Sequence, residues 1–272
     1  MNTAAPLISF VLPFYRKLEW LRTVFPRNTC FQSSQVEVVL VLDEPSQEAD
    51  VLAFVRTQPG RIRVIVNDED HPWRPPCMAL NVGLRHALGA YVVVLSPESY
   101  LLVEPGYLER RIQGDLPPGF LLTGQLWHGL EITPQHTLEQ VRAYVDCHSP
   151  VSNIYGFYCC AKQQIIDAGG YDEARQRYGG DDDDLRHRLH VNGAVPVSDV
   201  NIRVLHPYHA NAPRESDLPP EPWNITSRLD FTPFGHRYTR VAHDYAHVAQ
   251  LAEPRASNAN VAGSSPVVCS TV

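Results

Sequence analysis

Short apolar runs alternate with amphipathic stretches through the first half of the chain. Four of these runs are rich in β-branched residues and predict buried strands, at residues 8–12, 36–42, 62–66 and 91–95. Three stretches with helical periodicity separate them, at residues 18–24, 48–58 and 78–88. Continuous apolar strands joined by helices are typical of a parallel sheet covered on both faces. The pattern therefore predicts an α/β, Rossmann-like, mostly parallel sheet flanked by helices in a single domain.

The second half of the chain is less regular. Strands are predicted at residues 120–127, 156–161 and 202–205, and helices at 138–145, from 161 through 168, and from within 181–184 to 190. We expect a domain over 1–210, with a nucleotide-binding half over about 1–100 and an acceptor-side half over about 101–210. Prolines crowd the stretch that follows, so 211–248 is expected to be an extension with a C-terminal helix. Residues 249–272 are small and polar and predict a disordered tail.

Polar residues follow the predicted parallel strands. Ligands of such sheets bind at the carboxyl ends of the strands. The residues at these ends are Pro13-Phe14-Tyr15, Asp43-Glu44, Asn67-Asp68 and Ser96-Pro97-Glu98. Asp43 can accept hydrogen bonds from a ribose or a base, or simply start a loop before Pro45. Glu98 can hold a metal that bridges phosphates, or it can be a polar residue where the chain leaves the sheet.

An acidic run, Gly179-Gly180-Asp181-Asp182-Asp183-Asp184-Leu185, is the most unusual local feature. Helix capping and the helix dipole explain one or two of the carboxylates, at roughly 0.3–1 kcal/mol each. They do not explain four, because adjacent carboxylates repel one another, so the run indicates a cation or a proton-transfer role. The ligand spacing of an EF-hand is lacking. Downstream, His206 and His209 are either divalent-metal ligands or surface histidines.

Composition narrows the function classes. The 272 residues carry a net charge of -7, which argues against nucleic acid as a partner. Six cysteines occur without a C-x-x-C pair, and neither a secretory signal nor an apolar stretch of about 20 residues is found. We therefore expect a cytoplasmic protein without a transmembrane segment, for which peripheral membrane association stays open. No G-x-G-x-x-G, P-loop or G-x-S-x-G follows a predicted strand, which disfavours dehydrogenases, kinases and α/β-hydrolases.

Three segments of the first half resemble the family 2 glycosyltransferases of the GT-A fold. Ile8-Ser9-Phe10-Val11-Leu12-Pro13-Phe14-Tyr15 resembles the opening strand, with Pro13 and Tyr15 where the nucleotide base stacks. The stretch 38–46 resembles the second strand with its paired acids, and Glu44 matches the acid that contacts uracil. Leu80-Asn81-Val82-Gly83 resembles the Asn-x-Gly helix beside the donor, although Leu80 replaces the usual Arg.

The later block carries the most specific resemblance, which extends locally to the galactosyltransferases. The stretches 156–162 and 169–173 resemble the acceptor-side strand, helix and loop, and the acidic run resembles Gly-Gly-Glu-Asp-x-Asp-Leu. This resemblance implies that Asp182 is the general base, and that Asp181, Gly180 and Tyr178 bind the acceptor.

The resemblance also implies a set of donor and metal ligands. The donor-binding residues would be Pro13, Tyr15, Asp43, Glu44, Asn81, Ser96 and Glu98. Mn²⁺ or Mg²⁺ would be held by Glu98, His206 and His209. One departure stands out, because Ser96-Pro97-Glu98-Ser99 replaces the Asp-x-Asp of the family and leaves one carboxylate.

Together these residues predict an inverting, hexosyltransferase-like enzyme of polysaccharide biosynthesis. It would move a sugar from a nucleotide-sugar, with UDP as the expected nucleotide, to a hydroxyl of a saccharide or glycoconjugate. A non-catalytic nucleotide-sugar-binding relic of the same fold is the first alternative, favoured by the altered Asp-x-Asp and opposed by the intact acidic run. A nucleotidyltransferase is the second, and it would normally need a Gly-rich loop where Pro13-Phe14-Tyr15-Arg16-Lys17 stands.

Overall fold

A computed structural model describes residues 5–72, 74–152, 157–175, 180–207 and 239–245 of the chain. The strands of this part are β1 (Ile8–Phe14), β2 (Val36–Leu42), β3 (Arg61–Asn67), β4 (Tyr91–Val94), β5 (Tyr100–Leu102), β6 (Phe120–Gly129), β7 (Tyr158–Ala161), β8 (Val195–Pro207) and β9 (Thr239–Asp244). The α-helices are α1 (Leu18–Val24), α2 (Glu48–Val55), α3 (Cys77–His86), α4 (Tyr107–Gln113), α5 (Leu138–Cys147), α6 (Lys162–Asp167) and α7 (Asp181–Val191). Two short 3-10 helices follow α1, at Phe25–Arg27 and Thr29–Gln32.

All nine described strands form one sheet, in the order β5-β8-β6-β7-β4-β1-β2-β3-β9. Parallel pairings join β4, β1, β2 and β3, and a further one joins β6 to β8. The antiparallel partners are β5, β7 and β9, so six of the nine strands run in one direction. The predicted fold class, a mostly parallel α/β sheet flanked by helices, is confirmed.

The parallel strands are apolar along their whole length because helices cover both faces of the sheet. All seven residues of β2 are buried, and so are six of the seven in β1. Side chains of α1, α2 and α4 pack on the face that carries Phe10 and Val38. Those of α3, α6 and α7 pack on the opposite face, with Val11 and Val39. Period-2 exposure is absent from these strands because neither face meets water.

Close packing of α3 on the sheet depends on Gly83, the glycine of the Asn-x-Gly stretch. A Cβ at this position would overlap the side chains of Val11 and Val41. Its absence lets α3 lie directly on β1 and β2, which fixes the depth and rotation of the helix. Asn81, two residues earlier on α3, is thereby buried at a defined place beneath the acidic run.

Four elements differ from the sequence prediction. β5 and α4 lie in a stretch without clear periodicity, and β8 begins at Val195 although the sequence predicts a strand only at 202–205. A register shift against β6 interrupts β8 and explains its mixed pattern. β9 lies in the predicted C-terminal extension, for which a helix is expected, and it pairs antiparallel with β3. Tyr178, His209 and the predicted tail lie outside the described residues.

Two observations bear on the environment of the chain. Five cysteines of the described part are free thiols, at positions 30, 77, 147, 159 and 160. In the same part, the helices are too short or too polar to cross a lipid bilayer.

Candidate active site

The carboxyl edge of the sheet collects most of the predicted site residues. Tyr15, Asp43 and Glu98 follow β1, β2 and β4, which are adjacent parallel strands. β7 runs antiparallel to β4 and pairs Tyr158 with Val94, so its first residue reaches the same edge. The edge therefore carries the candidate donor residues on one side and the tyrosines that lead to the acidic run on the other.

A strained turn leaves β1. Arg16 has φ 52, in the left-handed region that a bulky residue rarely occupies. Such a conformation costs on the order of 1–3 kcal/mol and persists at sites where its surroundings hold it. Its guanidinium carbon lies 5.0 Å above the Tyr15 ring, and its Nε lies 3.4 Å from Glu44. The turn therefore directs three consecutive side chains, from Tyr15 to Lys17, to separate partners.

Asp43 is buried in a cluster of cationic groups. Its carboxylate accepts a hydrogen bond from Arg74 Nη2 at 2.6 Å and lies 3.5 Å from His71 Nε2. His71 Nε2 and Nδ1 face the carbonyl oxygens of Asp43 and Pro72, at 2.5 and 2.6 Å. The hydrogen bond to the Asp43 carboxylate raises the pKa of His71, and burial of the ring opposes that shift.

The His71 ring also stacks on Tyr15, with centroids 5.9 Å apart and an angle of 28° between the planes. Asp43 thus holds the segment after β3 against the predicted base-stacking residue. Glu44 closes a tight turn, because its carboxylate accepts from the Ser46 amide at 2.9 Å and from the Ser46 hydroxyl at 2.6 Å. The predicted donor acids are therefore present at the edge, and both are fixed by protein contacts.

Glu98 lies in the turn after β4 and is buried. Its Oε1 contacts the Lys17 Nζ in an ion pair and lies 3.3 Å from His206 Nε2, at the end of β8. Asn28 secures the turn, because its amide nitrogen donates to Ser99 O at 2.9 Å and its oxygen accepts from Leu101 N at 2.8 Å. The structure therefore brings Glu98 and His206 together, as the resemblance implies, and adds a lysine between the first and fourth strands.

Glu98 and His206, the described candidates for metal ligands, do not fit the divalent metal that the resemblance implies. The Lys17 ammonium already contacts Glu98 Oε1, and an ammonium and a metal at the same carboxylate repel each other. One carboxylate and one imidazole are also few ligands for Mg²⁺ or Mn²⁺, which prefer oxygen-rich shells. Within the residues the structure describes, no group of three or more His, Cys, Asp or Glu side chains is arranged to hold a metal. His209 lies outside these residues.

The acidic run opens α7, as the sequence predicts. Gly180 takes φ 79 at the N-cap, a conformation that suits glycine, and the four aspartates form the first turn. Asp184 is buried and pairs with Arg188, whose Nη2 lies 2.7 Å from its Oδ2. Asp183 contacts the Arg186 guanidinium. These two carboxylates are engaged within the helix, which distinguishes them from the first two.

Asp182 is the most solvent-exposed of the four aspartates, since Asp181 and Asp183 are half-buried and Asp184 is buried. Protein atoms nevertheless surround its carboxylate on several sides. Desolvation, followed by the charge of Asp181, raises the pKa of Asp182 from 3.8 to about 7, while Arg186 opposes the shift. Desolvation likewise raises the pKa of Asp181. A carboxylate with a pKa near 7 is suited to take up a proton at neutral pH.

Tyrosines connect Asp182 to the sheet. The Tyr171 hydroxyl donates to Asp182 Oδ1 at 3.4 Å and also contacts the Tyr158 hydroxyl. Asn81 holds Tyr171 from below, because its Oδ1 accepts from Tyr171 N and its Nδ2 donates to Tyr171 O, both at 2.9 Å. A second bond from Nδ2 reaches Glu173 at 2.9 Å. In this structure Asn81 therefore positions the loop before the acidic run.

Several of these residues were not among the predicted site residues. Lys17, His71, Arg74, Tyr158 and Tyr171 reach the site only through tertiary contacts. A local signal exists for Tyr171, which lies in the stretch resembling the acceptor-side loop, and for Lys17, which follows the predicted strand end. Ser96 is half-buried in the turn that carries Glu98, and Pro13 is half-buried in β1.

The fold is that of the GT-A glycosyltransferases. Similar solved structures include the mannosyltransferase PcManGT from Pyrobaculum calidifontis in complex with GDP-Man and Mn²⁺, with TM-score 0.53, 15% identity, and coverage of 75% of this chain and 57% of that one. S. aureus TarS 1-349 gives TM-score 0.54, 13% identity, and coverage of 74% and 60%. GalNAc-T7 with UDP, GalNAc and Mn²⁺ gives TM-score 0.55, 16% identity, and coverage of 78% and 46%.

This chain therefore matches between 46% and 60% of the length of those three proteins. No protein-family model matches the sequence, and no curated protein matches it either. At these identities the likeness defines the fold, and the chemistry must be argued from the residues of the site.

Proposed function

We propose that this protein transfers a sugar from a nucleotide-sugar to a hydroxyl acceptor, with inversion at the anomeric carbon and with Asp182 as general base. The observation that carries the proposal is the state of Asp182, a solvent-accessible carboxylate beside Asp181 whose pKa is raised to about 7. It opens a helix at the same sheet edge that carries the candidate donor residues. A carboxylate that only caps a helix would have its pKa lowered by the helix N-terminus, whereas the pKa of Asp182 is raised.

The reaction is a single displacement. The acceptor oxygen attacks the anomeric carbon and forms the new C–O bond while Asp182 takes the hydroxyl proton. The bond from the anomeric carbon to the diphosphate oxygen breaks, and its electron pair stays on the diphosphate. Asp182 with a pKa of about 7 is a better base than an unperturbed carboxylate and is still substantially ionised at neutral pH. No step in this scheme passes through a metal.

We assign the donor to the turns after β1, β2 and β4. Pro13 and Tyr15 would stack the base, and Asp43 and Glu44 would face the nucleoside. A UDP-hexose is the proposed donor, which is supported by the UDP and GalNAc bound to one structure of the same fold. The GDP-Man bound to another supports a nucleotide-sugar in general. Ser96 and Glu98 would lie beside the diphosphate, and Asn81 would act through the loop it anchors.

The acceptor side follows from the position of α7. We propose that Asp181, Gly180 and Tyr178 bind a saccharide or glycoconjugate acceptor next to the base. Such an activity belongs to polysaccharide biosynthesis, and we expect it in the cytoplasm with access to the membrane surface.

The second candidate function is a non-catalytic nucleotide-sugar-binding protein. The contact of Lys17 with Glu98, where the resemblance expects a metal ligand, favours it. The two candidates differ in donor turnover. Release of nucleoside diphosphate from UDP-, GDP- or dTDP-sugars by the purified protein supports the enzyme, whereas binding without release supports the second candidate.

Asp182→Asn tests the proposed base. We expect nucleoside diphosphate release to fall by roughly a hundredfold or more, as loss of general base catalysis predicts, with nucleotide binding unchanged. Asp183→Asn is the matched control, since it removes a charge from the same turn at a residue that pairs with Arg186. If Asp182→Asn kept the wild-type rate, Asp182 would not be the base.

A further inference from the structure

The ion pair between Lys17 and Glu98 joins the turn after β1 to the turn after β4. The Glu98 side chain is 2% exposed, whereas 29% of the Lys17 side chain remains accessible. The pair spans 81 positions of sequence, so tertiary structure alone creates it. Its place at the carboxyl edge is the one at which the fold presents the donor diphosphate under the function proposed above.

The Lys17–Glu98 pair differs in charge from the Asp-x-Asp motif that the resemblance leads one to expect. Two carboxylates on one strand end repel a diphosphate until a divalent cation neutralises them. Here one carboxylate remains, and the Lys17 ammonium neutralises it directly. The edge near Glu98 therefore loses its negative charge without any added ion, and the partly exposed ammonium can face a diphosphate. An ammonium carries three N–H donors, so it can contact a carboxylate and a phosphate oxygen together.

We propose that Lys17 supplies the positive charge that binds the donor diphosphate and neutralises it as it leaves, in place of a divalent cation. The proposal rests on the function proposed above and concerns the same site. When the bond from the anomeric carbon to the diphosphate breaks, its electron pair adds negative charge to the leaving oxygen. Lys17 stabilises that charge by a charge-assisted hydrogen bond, and the proton on its nitrogen stays where it is.

Glu98 has a positioning role in this scheme. A buried carboxylate holds the flexible lysine stem in one place, which lowers the entropy lost when the diphosphate binds. His206 lies at the end of β8, and its Nε2 is 3.3 Å from Glu98 Oε1. This contact restricts the movement of the Glu98 carboxylate. Glu98, which the resemblance assigns to a metal, thus supports a lysine, and His206 lies beside it.

The first experiment measures binding of UDP, GDP and uridine by calorimetry in EDTA and in Mn²⁺. We expect UDP or GDP to bind the wild-type chain in EDTA, with at most a few-fold change when Mn²⁺ is added. Binding that requires Mn²⁺ would overturn the role of Lys17 and leave the glycosyltransferase proposal standing. Failure of every nucleotide to bind in both conditions would overturn the two proposals together.

The second experiment uses variants in EDTA. Lys17→Met should weaken diphosphate binding by about ten- to hundredfold, the value of a hydrogen bond to a charged group, and leave uridine binding unchanged. Lys17→Arg should keep most of the affinity. Arg22→Met is the matched control, because it removes a cation of the neighbouring helix whose 2.9 Å pair with Asp50 lies at the surface.

Loss of Lys17 leaves Glu98 buried without its cation, so a further pair of variants separates folding from binding. Glu98→Gln should weaken UDP or GDP binding by less than Lys17→Met does, since the lysine loses its positioning partner but keeps its charge. Adding Lys17→Met to Glu98→Gln removes both charges and should bind at least about tenfold more weakly than Glu98→Gln alone. If Glu98→Gln itself abolished binding, Glu98 would be a direct ligand and the proposal would be overturned. Equal affinity of the single and double variants would overturn it as well.

Discussion

The buried ion pair within α7 tests whether Asp184 stabilises the fold while Asp182 remains available for chemistry. Asp184 Oδ2 accepts hydrogen bonds from Arg188 Nη2 at 2.7 Å and from Nε at 3.2 Å. Their side chains are 2% and 7% exposed, and Arg188 also donates to Ala168 O at the end of α6. Asp184→Ala leaves the guanidinium buried without its counter-charge. Breaking a buried pair in this way costs about 3–5 kcal/mol.

Urea and thermal unfolding followed by circular dichroism measure this loss. For a domain of this size the cost corresponds to a fall in Tm of roughly 6–20 °C, at about 2–4 °C per kcal/mol. Asp50→Ala is the control, since it breaks an exposed pair with Arg22 and should cost less than about 1 kcal/mol. Asp184→Leu combined with Arg188→Met removes both charges and should return stability towards wild type.

One result would refute this division of the run. If Asp184→Ala lost no more stability than Asp50→Ala, the pair would not hold α7 in place. Asp184 would then be as available for chemistry as Asp182, and the assignment of a single base would lose its structural support. A large loss in Asp184→Ala with none in Asp182→Asn would show that neighbouring, chemically identical residues serve folding and catalysis separately.

Three further predictions concern the site. The base must be ionised to accept a proton, and the pKa of Asp182 is raised to about 7. The transfer rate should therefore rise with pH through about 7 and level off above it. A rate already constant from about pH 5 would contradict this. Asn81→Ala should release the loop at Tyr171, lowering the transfer rate more than UDP affinity, whereas an effect on affinity alone would make Asn81 a donor ligand. Tyr15→Ala should weaken UDP and uridine binding alike, by about tenfold from lost stacking, while Tyr15→Phe should not; equal losses in both variants would exclude stacking.

The parallel half of the fold follows from the sequence because its strands are buried on both faces. Their apolar runs are continuous, and the helices between them keep the period of 3.6. Two of the three antiparallel strands escape prediction for physical reasons, whereas β7 falls within the predicted strand at 156–161. β5 has three residues, and β9 reads Thr-Arg-Val-Ala-His-Asp, so neither carries a periodic apolar signal. Both are defined by pairing with strands far away in sequence.

The candidate site likewise contains residues that the sequence predicts and residues that only the structure identifies. The acidic run is visible locally because its four carboxylates are consecutive in sequence. The partners that give each group its character are not visible, because Lys17 meets Glu98 and Arg74 meets Asp43 only after the sheet has formed. Sequence reasoning therefore names the acids, whereas the cations that neutralise them require the structure.

β9 has a consequence for how the chain is handled. It pairs along β3 from Asn67 to Arg63, and Arg240 binds Asp68 and Glu48 beside it. A chain shortened after residue 210 would lack this strand and leave the backbone N–H and C=O groups of β3 unpaired at the rim of the sheet. Bare edges of this kind recruit other chains. Such a truncated protein should self-associate or precipitate, and a productive expression boundary must lie beyond residue 245.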